Sequence, residues 1–105
     1  MLLSPSALLL LLPLSQPVSE SVPRLNVEPS CRAATKVGQN LDASLQTCMK
    51  DENTAHAELE GSWARFPMAD RQRCVAFATQ VTASYVELLE CLKTAREAKQ
   101  IEQQK

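Results

Sequence analysis

The sequence predicts an all-α protein, either a small antiparallel helical hairpin or an array of three to four helices, stapled by two disulfides. From Cys31 onward the chain contains one Pro and two Gly, and it is rich in Ala, Leu, Glu, Gln, Lys and Arg, which favour helices. Apolar residues recur in this region at steps of three and four, the spacing of a helix face. Four cysteines form two pairs, and sixteen residues separate the members of each pair.

The N-terminal segment is rich in leucine. The run from Ala7 to Leu14 is interrupted only by Pro13 and is too short to cross a bilayer, which takes about 20 apolar residues. Such a run followed by small residues is typical of a secretory signal peptide, although no Lys or Arg precedes it. We therefore expect residues 1–21 to be a signal peptide and the mature protein to be exported, either periplasmic or secreted.

The remaining chain is long enough for one small domain. We expect residues 22–30 to form an extended linker, because Pro23 and Pro29 disfavour helix. Residues 31–105 are then the helical disulfide domain, in which the polar tail from Arg96 should fray.

The first two helices are predicted from caps and from one apolar stripe. Ser30 can cap a short helix that ends at Gly38, and Asn40 can cap the next helix. The stripe of that second helix consists of Leu41, Leu45, Cys48, Ala55, Leu59, Trp63 and Phe66.

The last region begins after a stop around Pro67, where Asp70 can cap the next helix. Its stripe consists of Cys74, Ala78, Val81, Tyr85, Leu88, Leu92 and Ala95. Ser84 and Glu87 form a capping-box pattern, and residues 80–83 are weakly helical, so a break there is as well supported as one continuous helix.

The cysteines predict a disulfide framework, because an even number in a short exported chain is typical of one. Structural zinc takes closely spaced cysteine pairs, and thiol redox catalysis takes C-x-x-C; neither motif occurs. Two pairings compete. The nested pairing, Cys31–Cys91 with Cys48–Cys74, resembles the mitochondrial twin C-x-n-C hairpins and would bend the chain at Gly61. We prefer the local pairing, Cys31–Cys48 with Cys74–Cys91, because its midpoints coincide with the two weak points of the helical pattern.

Several short motifs between residues 48 and 98 occur in a characteristic order. They are Asp51-Glu52 with Ala55, Trp63 with Phe66, Cys74, and the run S-Y-V-E-L-L-E-C-L from Ser84 to Leu92. In these motifs the chain resembles small exported cysteine-containing helical proteins of alphaproteobacteria, a family without an assigned activity. The resemblance implies export and a helical disulfide fold, and it transfers no catalytic residue. The chain departs from the family at residues 80–83, where members carry Gly-Gly-x-Pro.

The single histidine offers the nearest approach to a metal or catalytic site. Glu52, His56 and Glu60 are spaced by four residues on one helix, which favours an ordinary solvated ridge, with a weak metal site as the alternative. No second group of ligands or nucleophile accompanies them. We therefore expect no enzyme activity, no catalytic residue, no metal and no cofactor.

Charge and aromatic content exclude further classes. Eleven basic and twelve acidic residues leave a net charge of −1, and the four aromatic residues are too few for a base-stacking platform, so we expect no nucleic-acid partner and no stable membrane insertion. Two groups of residues near the Pro67 turn have two interpretations each, an ordinary structural role and a role in binding. The arginines Arg65, Arg71 and Arg73 would belong to an ordinary surface of mixed charge or would dock an acidic partner or polymer. The large apolar residues would fill the core rather than form a binding patch: Trp63, Phe66, Met68 and Phe77.

Glu52 lies on the apolar face of its helix. At about 100° per residue it falls in the same arc as Leu45 and Leu59, where an unpartnered carboxylate would cost several kcal/mol. If the chain folds back at Pro67, Glu52 is level with Ser84, where the last helix exposes free N–H groups. We therefore predict that Glu52 is an interior brace that accepts hydrogen bonds from this helix start or from the Tyr85 hydroxyl; the alternative is a Glu52 that reaches solvent.

These observations favour a small exported protein without enzyme activity, a binding or structural module for an unknown protein partner in the periplasm. The alternative is a redox or metal-handling factor analogous to the twin C-x-n-C proteins.

The leader yields the first testable prediction. Ser19 and Ser21 place small side chains at the two positions that signal peptidase reads, so cleavage should fall before Val22. Intact-mass analysis of the protein recovered from the exported fraction should give the mass of residues 22–105. A soluble protein that retains Met1 to Ser21 would contradict export.

Overall fold

The computed structural model describes residues 20–35, 41–80 and 83–104 and, for residues 41–43, the backbone only. Within these ranges the chain forms α1 (Glu28–Thr35), α2 (Leu41–Ser62), a 3₁₀ turn (Trp63–Arg65), α3 (Met68–Gln80) and α4 (Tyr85–Gln103), with no strand. The predicted all-α class is therefore confirmed. The leader up to residue 19, the Gly38 stop and the Asn40 cap lie outside the described residues.

Both disulfides join neighbouring helices. Cys31 of α1 bonds to Cys48 of α2, and Cys74 of α3 bonds to Cys91 of α4, so the local pairing is confirmed and the nested pairing is wrong. The nested hairpin needed a bend at Gly61. Instead α2 continues through Gly61, which lies on an exposed face, where a Cβ atom would meet open space.

The core lies where α4 packs against both α2 and α3. Because α3 returns from the Pro67 turn, α2 and α4 run in the same direction. The buried apolar residues come from all three helices, the turn and the N-terminal segment: Val27, Ala55, Leu59, Trp63, Phe66, Cys74, Ala78, Tyr85, Leu88, Leu89 and Leu92. No described helix has both the length and the apolar character that crossing a membrane requires.

The turn between α2 and α3 differs from the prediction at Asp70. Helix α3 already begins at Met68, after Pro67, whose carbonyl accepts the N–H of Arg71 at 3.0 Å. Asp70 is therefore the third residue of the helix and not its cap. It is buried and binds Arg73 and Lys99.

The chain does break between α3 and α4. Helix α3 ends at Gln80, and α4 begins at Tyr85 after Ser84, which has the extended backbone of an N-cap (φ −152°, ψ 125°). The Ser84 hydroxyl accepts the N–H of Glu87 at 3.1 Å, as the capping-box pattern predicts. Residues 81 and 82, inside the predicted break, lie outside the described residues.

The predicted linker over residues 22–30 is wrong in two respects. Helix α1 begins at Glu28, because Pro29 is tolerated in a first helical turn, where its missing N–H has no helical partner. Ser30 therefore lies inside the helix, and its hydroxyl donates to the Ala83 carbonyl at 2.9 Å instead of capping. Residues 22–27 are non-helical, yet Val27 is buried in the core, so this stretch is a packed arm.

The polar tail is also more ordered than expected. Helix α4 continues from Arg96 to Gln103. The Arg96 guanidinium lies 4.4 Å from the centre of the Phe66 ring, and Lys99 Nζ is 3.1 Å from Asp70 Oδ2. These contacts attach the last turns to the Pro67 turn, where we expected fraying.

Of the large apolar residues predicted to fill the core near this turn, Trp63 and Phe66 are buried. Met68 is 55% exposed and Phe77 is 52% exposed, so for these two the prediction is wrong. At about 100° per residue Met68 and Phe77 lie on opposite flanks of α3, because Cys74 and Ala78 occupy the packed side between them. Phe77 borders a shallow groove beside Glu90 and Cys91 of α4.

Removing either disulfide pair should destabilise the fold. Each bridge closes a loop with a sequence separation of 17, for which chain entropy predicts a loss of about 3 kcal/mol in the free energy of unfolding. The double variants Cys31→Ala/Cys48→Ala and Cys74→Ala/Cys91→Ala avoid leaving a free thiol, and urea unfolding followed by circular dichroism measures the loss. An unchanged midpoint in either variant would contradict a stapling role for that bridge.

Candidate functional site

A buried polar contact joins Glu52 of α2 to the start of α4. Glu52 is only 4% exposed. Its Oε2 accepts the Ser84 hydroxyl at 2.6 Å, and its Oε1 accepts the Tyr85 N–H at 2.6 Å and the Val86 N–H at 3.4 Å. The carboxylate thus caps the beginning of α4 from a different helix.

This contact is favourable because each partner satisfies a need of the other. The first N–H groups of a helix have no partner within the helix, and the helix dipole is positive at that end. A buried carboxylate needs charge-assisted hydrogen bonds to offset the loss of water. Ser84 links the two systems, since it donates to Glu52 and accepts from the Glu87 N–H.

Glu52 accepts its hydrogen bonds from the helix start, which was one form of the prediction. The other form, a hydrogen bond from the Tyr85 hydroxyl, is wrong because that hydroxyl is engaged elsewhere. It accepts the Leu25 N–H at 2.8 Å and donates to the Pro23 carbonyl at 3.2 Å. Tyr85 therefore binds Glu52 through its amide and the N-terminal arm through its phenol.

His56 is part of the same cluster through its ring. It stacks on Tyr85 with ring centres 4.1 Å apart and planes inclined by 10°, and its Nε2 lies 3.5 Å from Glu60 Oε2. The expected solvated ridge is thus wrong for Glu52, which points inward, and holds for the exposed Glu60. Among the described residues, no group of three His, Cys, Asp or Glu side chains is placed to hold a metal ion.

An open groove of about 520 Å³ lies beside the Glu52 cluster. It runs between α2 and the start of α4 and is lined by Ser44, Thr47, Cys48, Asp51, Glu52, Ser84, Val86 and Glu87. Its rim is acidic, so it suits hydrogen-bond donors or cations. Both Glu52 oxygens already accept hydrogen bonds, which leaves this carboxylate poorly placed to take a proton from a substrate. Sequence reasoning missed the groove, because its two walls are more than thirty residues apart along the chain.

A second buried carboxylate, Asp70, stabilises the opposite end of the bundle. It is 3% exposed, and its two oxygens lie 2.6 Å from Arg73 Nη2 and 3.1 Å from Lys99 Nζ. Arg71 lies over the Trp63 ring, 5.7 Å from its centre. The three-residue spacing of Asp70 and Arg73 is a signal that sequence analysis could have used; the contribution of Lys99 needs the fold.

The fold and these two carboxylates define a small helical protein, stapled by two disulfides, whose interior polar groups hold helices in place. Comparisons with protein-family models, curated proteins and solved structures found no match. The resemblance to small exported proteins of alphaproteobacteria remains a prediction.

Replacing Glu52 should destabilise the protein. Glu52→Ala leaves the Ser84 hydroxyl and the Tyr85 N–H buried without an acceptor, which should lower the free energy of unfolding by about 3 kcal/mol. Glu52→Gln should also be less stable, because its amide replaces one acceptor by a donor. Urea unfolding measures both, with the exposed neighbour in Asp51→Ala as the control. A Glu52→Ala variant that is as stable as the parent would contradict the bracing role of Glu52.

Removing the Tyr85 hydroxyl should loosen the arm without disturbing the brace. Tyr85→Phe keeps the ring that stacks on His56 and the amide that binds Glu52, and it loses the bonds to Leu25 and Pro23. We expect a loss of about 1 kcal/mol and faster hydrogen exchange at the Leu25 amide. The amide of Leu59 in α2 serves as the internal reference. Unchanged exchange at Leu25 would contradict the role of the hydroxyl.

Proposed function

We propose that this chain is a small exported protein that works by binding a protein partner in an oxidising compartment, the periplasm or the extracellular space, and that it is not an enzyme. Two features support export. All four cysteines are paired, which is typical of proteins outside the reducing cytosol. The leucine-rich segment before residue 20 has the length of a signal-peptide core.

The observation that carries a binding rather than a catalytic role is the state of the two buried carboxylates. Catalytic acids and bases need a lone pair or a proton directed at a substrate. Glu52 is engaged by Ser84 and Tyr85, and Asp70 is engaged by Arg73 and Lys99. Both groups therefore serve the fold, while the large apolar side chain of Met68 faces solvent, where a partner can cover it.

The redox or metal-handling alternative rested on the analogy with twin C-x-n-C hairpins. That analogy needs nested bridges, and the bridges here are local. Cys31 and Cys74 are also fully buried, which hinders attack on these sulfurs by an external thiolate.

Cross-linking in the native compartment tests the proposal. The full chain, tagged at its C-terminus, is expressed in its native cells, cross-linked, and isolated from the exported fraction under non-reducing conditions. We expect one stoichiometric protein partner and no thiol that reacts with an alkylating reagent. The matched control lacks residues 1–21 and stays in the cytosol, where the partner should be missing.

Three results would count against the proposal. Two or more reactive thiols in the exported protein would favour the redox factor. Recovery of the chain only from the cytosol, with its leader intact, would refute export. The chain cross-linked to no other protein in the exported fraction would refute the binding role.

A further inference from the structure

The charge of this protein is unevenly distributed, although the whole chain has a net charge of only −1. Residues 51–60 carry four acidic residues and neither Lys nor Arg, whereas residues 61–74 carry three Arg and one Asp. Helix α4 adds two more cations to the second region, because Arg96 lies over Phe66 and Lys99 binds Asp70. The Pro67 turn is therefore the positively charged end of the bundle.

We call the exposed cations at this turn, Arg65, Arg73, Arg96 and Lys99, the basic end. Arg65 and Arg96 are exposed, and the side chains of Arg73 and Lys99 are 65% and 52% exposed. Arg73 and Lys99 share one carboxylate, that of the buried Asp70. Four cations and one carboxylate leave this cluster positive, with most of its charge facing solvent.

An exposed apolar residue lies at the same turn as the basic end. Met68, the first residue of α3, is 55% exposed, and the exposed Pro67 precedes it. Met and Arg are both enriched in protein interfaces, where a buried apolar contact is surrounded by polar ones. A partner that covers Met68 lies at the same turn as Arg65, three residues earlier in the chain, so an apolar contact and a guanidinium contact can form together.

Two of these guanidinium groups are positioned before any partner arrives. Arg96 is held over the Phe66 ring at 4.4 Å, and Arg65 Nη2 donates to the Gly61 carbonyl at 3.1 Å. Each guanidinium has five N–H donors, so one such contact leaves others for a carboxylate. Prior ordering lowers the side-chain entropy lost on binding.

We propose that the basic end is the docking surface for the protein partner, and that the partner presents an acidic segment that also carries an apolar side chain, which covers Met68. The proposal rests on the binding function proposed above and adds its site and the chemistry of the partner. Charge complementarity of this kind speeds association and excludes basic partners.

A short acidic segment fits this surface better than a continuous polyanion. The exposed carboxylates of Glu97 and Glu102 lie on the same helix as Arg96 and Lys99. At about 100° per residue, Glu97 lies roughly 100° around the helix from Arg96 and 160° from Lys99. Acidic neighbours on both sides of the cations restrict the positive surface to one side of α4. A nucleic acid or an anionic membrane would extend beyond this surface onto the acidic residues.

Peptide selection against matched variants tests the proposal. Random peptides of about twelve residues, which span at most about 40 Å when extended, are displayed on phage and selected on the oxidised full chain. The test variant is Arg65→Glu/Met68→Ser. The control is Lys50→Glu/Phe77→Ser, which changes the same charge and also removes one exposed apolar residue, but at a distance from the Pro67 turn. Thermal unfolding checks that both variants fold like the parent.

We expect the selected peptides to carry more Asp and Glu than Lys and Arg, together with an aliphatic or aromatic residue. The most enriched peptide is synthesised, and its binding is measured by fluorescence anisotropy. Its affinity should weaken about tenfold in the test variant and less than about twofold in the control. Added salt should weaken the same complex, because the carboxylate contacts are partly exposed.

Four results would overturn the proposal. If peptide binding weakens equally in both variants, the peptide is attracted by the overall charge of the protein. If peptide binding is unchanged in both variants, the docking surface lies elsewhere, and the proposed protein binding stays intact. Tighter binding of a DNA oligonucleotide or of phosphatidylglycerol vesicles at the same residues would identify a polyanion surface. Self-association that the test variant abolishes would identify a second copy of this chain as the occupant. Failure of the binding function itself is measured separately, by the cross-linking experiment.

Discussion

The arrangement of the helices depends on one polar contact, the pairing of the Glu52 carboxylate with the start of α4. A helix start in the interior needs acceptors for its N–H groups, and a carboxylate in the interior needs donors. Because Glu52 binds Ser84 and Tyr85, residue 85 is level with residue 52. This alignment of α4 along α2 places Arg96 against Phe66 and brings Lys99 to Asp70.

The three connections between helices are held by different interactions. A disulfide spans the connection from α1 to α2 and another spans the connection from α3 to α4. The turn between α2 and α3 has no disulfide, and here buried aromatic residues and the Asp70 ion pairs hold the chain. The disulfides thus span the two connections at which the helical pattern of the sequence is weakest. The ion pairs of Asp70 stabilise the remaining turn, whose backbone Pro67 already restricts.

Tyr85 connects three parts of the molecule. Its amide binds Glu52 of α2, its ring stacks on His56, and its hydroxyl binds the arm at Leu25 and Pro23. The arm in turn contributes Val27 to the core. The core of so short a chain is small. Residues such as Tyr85, which contact several elements at once, therefore contribute stability that a larger domain obtains from its more extensive apolar core.

The sequence by itself determined the all-α class, because helix formers and apolar steps of three and four continue from Cys31 onward. For the break at residues 80–83, the disulfide pairing and the direction of Glu52, the sequence left two alternatives each, and the structure decided between them. Only the tertiary structure decided that Tyr85 holds the arm, that Asp70 binds Lys99 and that Met68 and Phe77 face solvent. These features depend on which helix faces which, and at what level. A periodic apolar stripe shows that a face is buried, but it does not identify the residues of the opposite helix.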